Sequence, residues 1–394
     1  MALDHDDDKA ALIRSACSHR DLPALIALAT GPQGLLSDDL RREAWPILLG
    51  ANDADDPVAW EKLQPHADED QVKLDVNRSF VYYPNDLSEE QLDCRKQELS
   101  DVITQVLRRH ARLCYFQGYH DIVQVFLLVL GAQLSVPAVT RLSLLRIRDF
   151  MLPSLDPSVA HLNLLPAILY SVDPALCRHL KPTQPFFALA ATITMYAHDI
   201  QEYGDIARIF DFLLAHEAVM SIYLFAAIIL ARKDELLEIS SDEPEMLHFT
   251  LSKLPHPLHI EDLIAESVSL RERKPPETLP SRAWSSISQY SVLKTTQDTE
   301  ALAQQTLQDG EALFAKQTAQ VRRAQAYQAV VKGARRGLYR YRKPARGIAF
   351  AVLVGFIAWY LGRSGGSGGA GVMSWFGGVY EPLRRVFSAV RDNR

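Results

Sequence analysis

Apolar residues recur along most of this chain at intervals of three and four, the spacing that lines one face of a helix. The clearest case is 88–109, where Leu92, Leu99, Val102, Ile103, Val106 and Leu107 share a face and the opposite face is charged. Ser88, with Gln91 three residues later, forms a capping-box signature at its start. The stretch 118–134 is apolar nearly all round, as expected of a helix at the centre of a bundle. Helical spacing returns at 138–150, 158–172, 174–180, 186–200, 203–215, 218–232 and 257–271, and no run alternates apolar with polar residues as a half-buried strand does. The pattern predicts an all-α domain over 35–271.

Both flanks depart from this pattern. Residues 1–34 read as an acidic tail followed by short helices broken at Pro23. Within 37–50, Ser37 predicts a cap, Gly50 a stop, and Leu40, Trp45, Leu48 and Leu49 a core-facing stripe. Residues 272–331 begin with a proline-rich break and continue rich in Ser, Gln and Thr, which predicts a linker that buries little, leading into a polar helix.

In 332–362 a basic flank, Lys332, Arg335, Arg336, Arg340, Arg342, Lys343 and Arg346, precedes an uncharged stretch, 347–362, that ends in Trp359-Tyr360-Leu361-Gly362. As a helix that stretch covers about 24 Å, short of a bilayer core of about 30 Å but close to the thinner endoplasmic reticulum bilayer once flanking arginines snorkel. It predicts an anchor in a lipid bilayer, with the basic flank placing the N-terminal domain in the cytosol. Residues 363–394 are Gly-rich and then mix aromatics with Arg384, Arg385 and Arg391, so an in-plane or hairpin anchor that keeps both ends cytosolic stays open beside a spanning one.

Composition narrows the chemistry. The 394 residues are 48% hydrophobic with a net charge of -6, enough for a sizeable core and without the field a nucleic-acid binder carries. Cys17, Cys94, Cys114 and Cys177 are scattered, as reduced cytosolic thiols would be, and 1–9 lacks the apolar core of a secretory leader. No G-x-x-x-x-G-K-[ST] loop, serine elbow or H-E-x-x-H occurs, so neither nucleotide binding nor a metal is expected. His256 and His259 with Glu261 read as structural, and His120-Asp121 as a helix-start pair. Two polar islands remain, Asp75-Val76-Asn77-Arg78 and Tyr115-Phe116-Gln117-Gly118, each followed by apolar sequence that would anchor it. An arginine can fork onto phosphate oxygens and a glutamine amide can orient a water.

These islands, with two further segments, resemble the TBC-domain family of Rab GTPase-activating proteins. Arg42-Glu43-Ala44-Trp45-Pro46-Ile47-Leu48-Leu49-Gly50 is similar to the family's R-x-x-x-W-x-x-L-L-G opening. Val72-Lys73-Leu74-Asp75-Val76-Asn77-Arg78 is similar to its I-x-x-D-x-x-R, Tyr115-Phe116-Gln117-Gly118 to its Y-x-Q-G, and Arg208-Ile209-Phe210-Asp211 to its R-x-W-D. Phe210 stands where Trp is commoner, and Tyr119-His120-Asp121 replaces Met-Asn. Asp75-Val76-Asn77-Arg78-Ser79 and Tyr115-Phe116-Gln117-Gly118-Tyr119-His120-Asp121-Ile122, followed by the C-terminal anchor, resemble the subgroup anchored in the endoplasmic reticulum, which acts on the Rab of endoplasmic reticulum-to-Golgi transport.

The resemblance implies a multi-helix TBC domain in which Arg78 is an arginine finger and Gln117 a glutamine finger. It implies that Asp75 orients Arg78 through a charge-assisted pair and that Tyr115 and Gly118 shape the turn under Gln117. Arg42, Trp45 and Asp211 would be scaffold, with Asp211 able to help hold the finger loop. The partner would be a Rab in its GTP-bound form, and GTP and Mg²⁺ would belong to that partner, leaving this chain an activator rather than an enzyme. The expected location is the endoplasmic reticulum or early Golgi membrane, with the domain facing the cytosol. The alternative is a membrane-anchored Rab-binding scaffold without activating power.

Overall fold

A computed structural model describes residues 2–51, 59–84 and 87–364, the side chains of 2–5, 336–350, 358 and 360–364 excepted. Among the described residues every regular element is a helix. The chain divides into two compact units, Met1–Arg322 and Arg323–Arg394.

The first unit opens with α1 (Ala2–His19) and α2 (Leu22–Thr30), which bury Ile13, Ala16, Cys17, Leu25 and Ala29 in the common core. Pro23 does not break a helix here. The break falls just before it, where Asp21 caps α2 by accepting the Ala24 N–H (3.0 Å), and Pro23 sits in the first turn, where no N–H is needed. In α3 (Asp38–Leu49) the stop at Gly50 is realised with a left-handed φ of 67°, but the Ser37 side chain makes no capping bond.

Next come α4 (Glu69–Val76), α5 (Glu89–Arg109) and α6 (Tyr119–Arg141). The capping box of α5 forms in full: Ser88 Oγ accepts the Gln91 N–H (3.2 Å) and Gln91 Oε1 accepts the Ser88 N–H (2.9 Å). Burial runs nearly all round α6, as its composition predicts, and a non-helical Gly131 (φ 73°, ψ 168°) marks where the apolar pattern splits into two segments. The run Tyr119–Arg146 is the one described stretch long and apolar enough to cross a membrane, and it lies largely inside the unit as a core helix.

Helices α7 (Asp156–Leu162), α8 (Leu164–Val172), α9 (Pro174–Leu180) and α10 (Leu189–Ile193) follow, then α11 (Tyr203–Ala215), α12 (Met220–Ala231), α13 (Lys233–Glu238), α14 (Pro244–Leu251) and α15 (Ile260–Arg273). The predicted helix over 186–200 is interrupted. Thr192 and Thr194 hydroxyls bond back to the Ala188 and Ala190 carbonyls, and Met195 (φ 51°) and Tyr196 (φ 69°) turn left-handed. Periodicity cannot register that competition between hydroxyl and ladder. α12 packs on α15 and α8, α5 on α6, and α3 on α6.

The stretch 272–331 differs most from its composition. Pro276, Leu279, Ala283, Ile287, Val292, Leu293, Leu302 and Phe314 are buried, carried in part by α16 (Ala283–Ser286), α17 (Val292–Thr295) and α18 (Thr299–Gln304). Buried arginines explain how so polar a segment packs. Arg148 donates to Tyr290 O (2.5 Å) and Thr295 Oγ1 (2.6 Å), and Arg141 to Ala303 O (3.2 Å) and Gln305 O (2.8 Å). The backbone of the segment, which composition does not report, supplies most of the acceptors.

Finally α19 (Leu307–Ser364) carries the backbone through 347–362 as helix, with Val352, Leu353, Phe356, Ile357 and Trp359 exposed. The tail over 365–394, including the expected surface-lying segment 373–390, is outside the described residues.

Candidate functional site

Arg78 follows directly on α4. Val72 and Val76 are buried, fixing the helix, and its last turn closes with Arg78 N–H on Asp75 O (3.0 Å) and Ser79 N–H on Val76 O (3.0 Å). Phe80 then takes a left-handed φ of 61°, held because its N–H donates to the buried Gln124 Oε1 (2.9 Å). The result is a tight exit from which Arg78 projects into solvent, with no side-chain hydrogen bond or ion pair among the described residues. Phe80 and Tyr83 point inward; Val81 and Tyr82 stay exposed.

Gln117 is presented by a different device. Phe116 is buried against Tyr119 (centroids 5.6 Å) and Phe150 (6.1 Å), and Gly118 reverses the chain at the start of α6 with φ 98°. A Cβ on Gly118 would lie 2.5 Å from Thr194 Cγ2, so neither the dihedral nor the space admits a side chain. Gln117 is left exposed on the crest of the turn.

Between them lies a polar chain. The Asp75 carboxylate is buried and accepts from Gln71 Nε2 (2.9 Å) and from the Tyr115 hydroxyl (2.9 Å), and the Tyr115 oxygen is 3.0 Å from His120 Nδ1. This corrects one expectation: Asp75 does not pair with the Arg78 guanidinium. Its carboxylate turns inward to tie α4 to the Gln117 turn, and its hold on Arg78 is through the backbone. Burial and the Asp75 charge push the Tyr115 phenol well above its ordinary range, so it stays a neutral donor. Burial also lowers the His120 imidazole, against the pull of Asp121 and Asp75.

Arg78, Gln117, Gly118, His120, Asp121 and His198 line one open groove of about 510 Å³, together with the Phe80–Tyr83 segment and residues of α10. The two islands, nearly forty positions apart in sequence, therefore meet in one site.

The remaining expected residues are elsewhere. Asp211 is fully buried and accepts Leu35 N–H (2.9 Å), Trp45 Nε1 (2.8 Å) and Arg41 Nε (3.0 Å), pinning α3 and the Leu35 turn to α11. It does not line the groove. Trp45 also packs on Phe126 (5.4 Å) and Phe210 (5.9 Å), so phenylalanine at 210 keeps an aromatic cluster intact. The arginine of this scaffold is Arg41 rather than Arg42. Arg42 is exposed and bonds Asp39 (2.9 Å) and Val129 O (3.1 Å). Arg41 stands four residues before Trp45, one helical turn away on the same face, and that spacing was the available signal.

Arg208, also buried, closes the C-terminal end of α2 through Ala29 O (3.0 Å), Thr30 O (3.1 Å) and Gly31 O (2.9 Å) and pairs with Glu261 (2.7 Å). Glu261 is thereby committed to structure, and among the described residues no group of three or more His, Cys, Asp or Glu is placed to hold a metal ion.

The chain matches the Rab-GTPase-TBC domain family over residues 38–237, which encloses Arg41, Arg78, Gln117 and Asp211. It is 39% identical to TBC1 domain family member 20 of Bos taurus over 267 residues, 67% of this chain and 66% of the relative. It is 31% identical over 293 residues to the GTPase-activating protein gyp10 of Schizosaccharomyces pombe, covering 73% of this chain and 78% of that protein. The match to the mammalian relatives thus falls just short of two thirds of their length. Among solved structures, the Chlamydomonas flagellar RabGAP TBC domain superposes with a TM-score of 0.46 at 16% identity, covering 59% of this chain and 79% of that one. By the extent of the family match and the 31% identity over 78% of gyp10, the chain belongs to the Rab-GTPase-TBC domain family.

Proposed function

We propose that the chain accelerates GTP hydrolysis by a Rab GTPase, with Arg78 as arginine finger and Gln117 as glutamine finger. The observation that carries this reading is the meeting of both side chains, exposed, on the walls of one groove. Phosphoryl transfer spreads charge over the γ-phosphate oxygens, so catalysis is positioning plus electrostatic stabilisation, and an arginine supplied by a second protein is worth about 10³ to 10⁵ in rate. Among the described residues Arg78 has no side-chain partner to give up before its fork reaches those oxygens. Gln117 orients the attacking water. Asp75, Tyr115 and Gly118 hold the two loops in register, while GTP and Mg²⁺ stay with the partner. An activator of this kind performs no hydrolysis alone.

Three relatives carry the name TBC1 domain family member 20 and two are named GTPase-activating proteins, which supports activation over bare binding. We assign the partner to the endoplasmic reticulum-to-Golgi pathway from the motif departures at 119–121 and the uncharged stretch 347–362, which would tether the groove to that membrane on its cytosolic side. Single-turnover hydrolysis on a panel of GTP-loaded Rabs tests the reading. Stimulation that collapses in Arg78→Ala and in Gln117→Ala supports it; binding without stimulation would leave only the scaffold alternative.

A further inference from the structure

The groove holds a group that neither finger explains. His198 follows the left-handed pair Met195 and Tyr196, and its backbone N–H reaches Thr194 Oγ1 (3.4 Å). The side chain is 61% exposed, and its Nδ1 lies 2.9 Å from Asp121 Oδ2. The other Asp121 oxygen is 3.2 Å from His120 Nε2. One carboxylate thus sits between two imidazoles, a buried one that belongs to the Tyr115 chain and an exposed one that faces the site. Asp121 fixes the His198 ring by one edge, and Nε2, on the other edge, has no partner among the described residues.

From this geometry we infer that His198, as an imidazolium held by Asp121, donates from Nε2 to an anionic oxygen of the GTPase docked in the groove. The inference rests on the GTPase-activating reading above and adds a contact outside the two fingers. The oxygen is a carboxylate of the partner or belongs to the γ-phosphate of its nucleotide; both accept a charge-assisted hydrogen bond.

The charge on His198 is set by its surroundings. Asp121 and His120 of α6 and Asp199 of its own turn act on it, and Asp75, Arg78 and Tyr83 line the same groove. The hydrogen bond to Asp121 raises the His198 imidazole above its ordinary value, with the Asp121 and Asp199 charges adding and burial opposing. His120 moves the other way because it is buried, so of the two rings His198 is the one that holds its proton to higher pH. The cation is present below the raised value and is lost as pH rises through it, so the contact weakens on the alkaline side.

The test uses the full chain and the Rab it stimulates best, with kcat and KM measured from about pH 5.5 to about pH 8.5 and unassisted hydrolysis subtracted. The wild type should show KM rising with pH. His198→Gln keeps a donor for Asp121 but no charge; it should lose that limb and raise KM roughly tenfold near pH 6 with kcat close to wild type, the size of one charged hydrogen bond. His198→Lys, a permanent cation, should hold KM low across the range.

Affinity for the Rab loaded with GDP and with a non-hydrolysable GTP analogue separates the two oxygens. A γ-phosphate contact weakens only the second in His198→Gln, and a carboxylate contact weakens both. A His198→Gln chain with wild-type KM and the same pH limb overturns the inference and leaves the proposed function standing. A wild-type chain that stimulates no Rab overturns both.

Discussion

Arg78 makes no side-chain hydrogen bond or ion pair among the described residues, so none of these would have to break for its guanidinium to act as the proposed finger. Arg78→Ala should therefore lower stimulated turnover at least a hundredfold, the lower end of a finger's worth being about 10³ and part of it recoverable from binding alone, while the denaturant midpoint stays put. Arg78→Lys should fare little better, because a lysine offers a point charge where a fork is needed. A drop in both activity and midpoint would recast Arg78 as structural. Tyr115→Phe is predicted to behave in the opposite way. It removes the hydroxyl that satisfies the buried Asp75 Oδ2, costing about 1–3 kcal/mol in urea denaturation. Residue identity and local setting suffice to make Arg78 and Gln117 legible along the chain. The inward turn of Asp75 is not legible there, because a carboxylate three residues before an arginine is sterically able to pair with it or with Tyr115, forty positions away, and only packing decides.

At the scale of elements, the site depends on how two helices begin and end. Gly118→Ala places a Cβ against Thr194 in a left-handed residue, and strain of this kind costs about 1–3 kcal/mol. The substitution should lower the thermal midpoint and displace Gln117 enough to abolish stimulation; an alanine variant with both properties intact would show the turn to be dispensable.

The ends of α2 and α11 meet in a pair that titrates. Thr30 Oγ1 donates to Ile26 O (2.7 Å), so its oxygen accepts from His216 Nε2 (2.8 Å). Burial, with the Arg146 charge nearby, pushes the His216 imidazole down to about 4. An unfolded histidine titrates near 6.5, so between about pH 6.5 and about pH 4 the unfolded chain binds the extra proton. Stability from this group is complete above that window and is lost as pH falls through it. Denaturation midpoints across the window should show the slope, and His216→Gln should flatten it. Long periodic helices such as α5 are readable from the sequence with their caps. The break after α10 is not, because threonine hydroxyls and left-handed residues there outcompete the ladder that periodicity assumes.

For the whole molecule, the first unit reaches Arg322, well beyond the residues that carry the family motifs. A chain cut after residue 271 would strip Tyr290 O and Thr295 Oγ1 from Arg148 Nη2, leaving only the Leu144 and Leu145 carbonyls on Nη1, and remove Leu279, Val292, Leu293 and Leu302 from the core they help to close. Leaving that buried guanidinium nitrogen without its acceptors alone costs about 1–3 kcal/mol. Such a chain should be insoluble or molten by near-UV circular dichroism, whereas one cut after residue 322 should keep the full midpoint. Equal stability of the two would make 272–322 the linker its composition suggests. Cutting after residue 346 is expected to leave hydrolysis of a Rab in solution unchanged and to move the protein off membranes, read by fractionation.

The helical class, the bounds and cap of α5, the family motifs and the two residues with exposed functional groups on segment ends are all written in the sequence. They follow from periodicity, capping chemistry and side-chain identity, which are local along the chain. The tertiary structure was needed to decide that Arg41 and not Arg42 joins Asp211, that Asp75 turns toward Tyr115, that 276–317 belongs to the core, and that His198 shares a groove with Arg78 and Gln117. Each of these is a choice among partners distant in sequence, made by which buried polar groups find a match; apart from the one-turn spacing of Arg41 and Trp45, position along the chain carries no record of it.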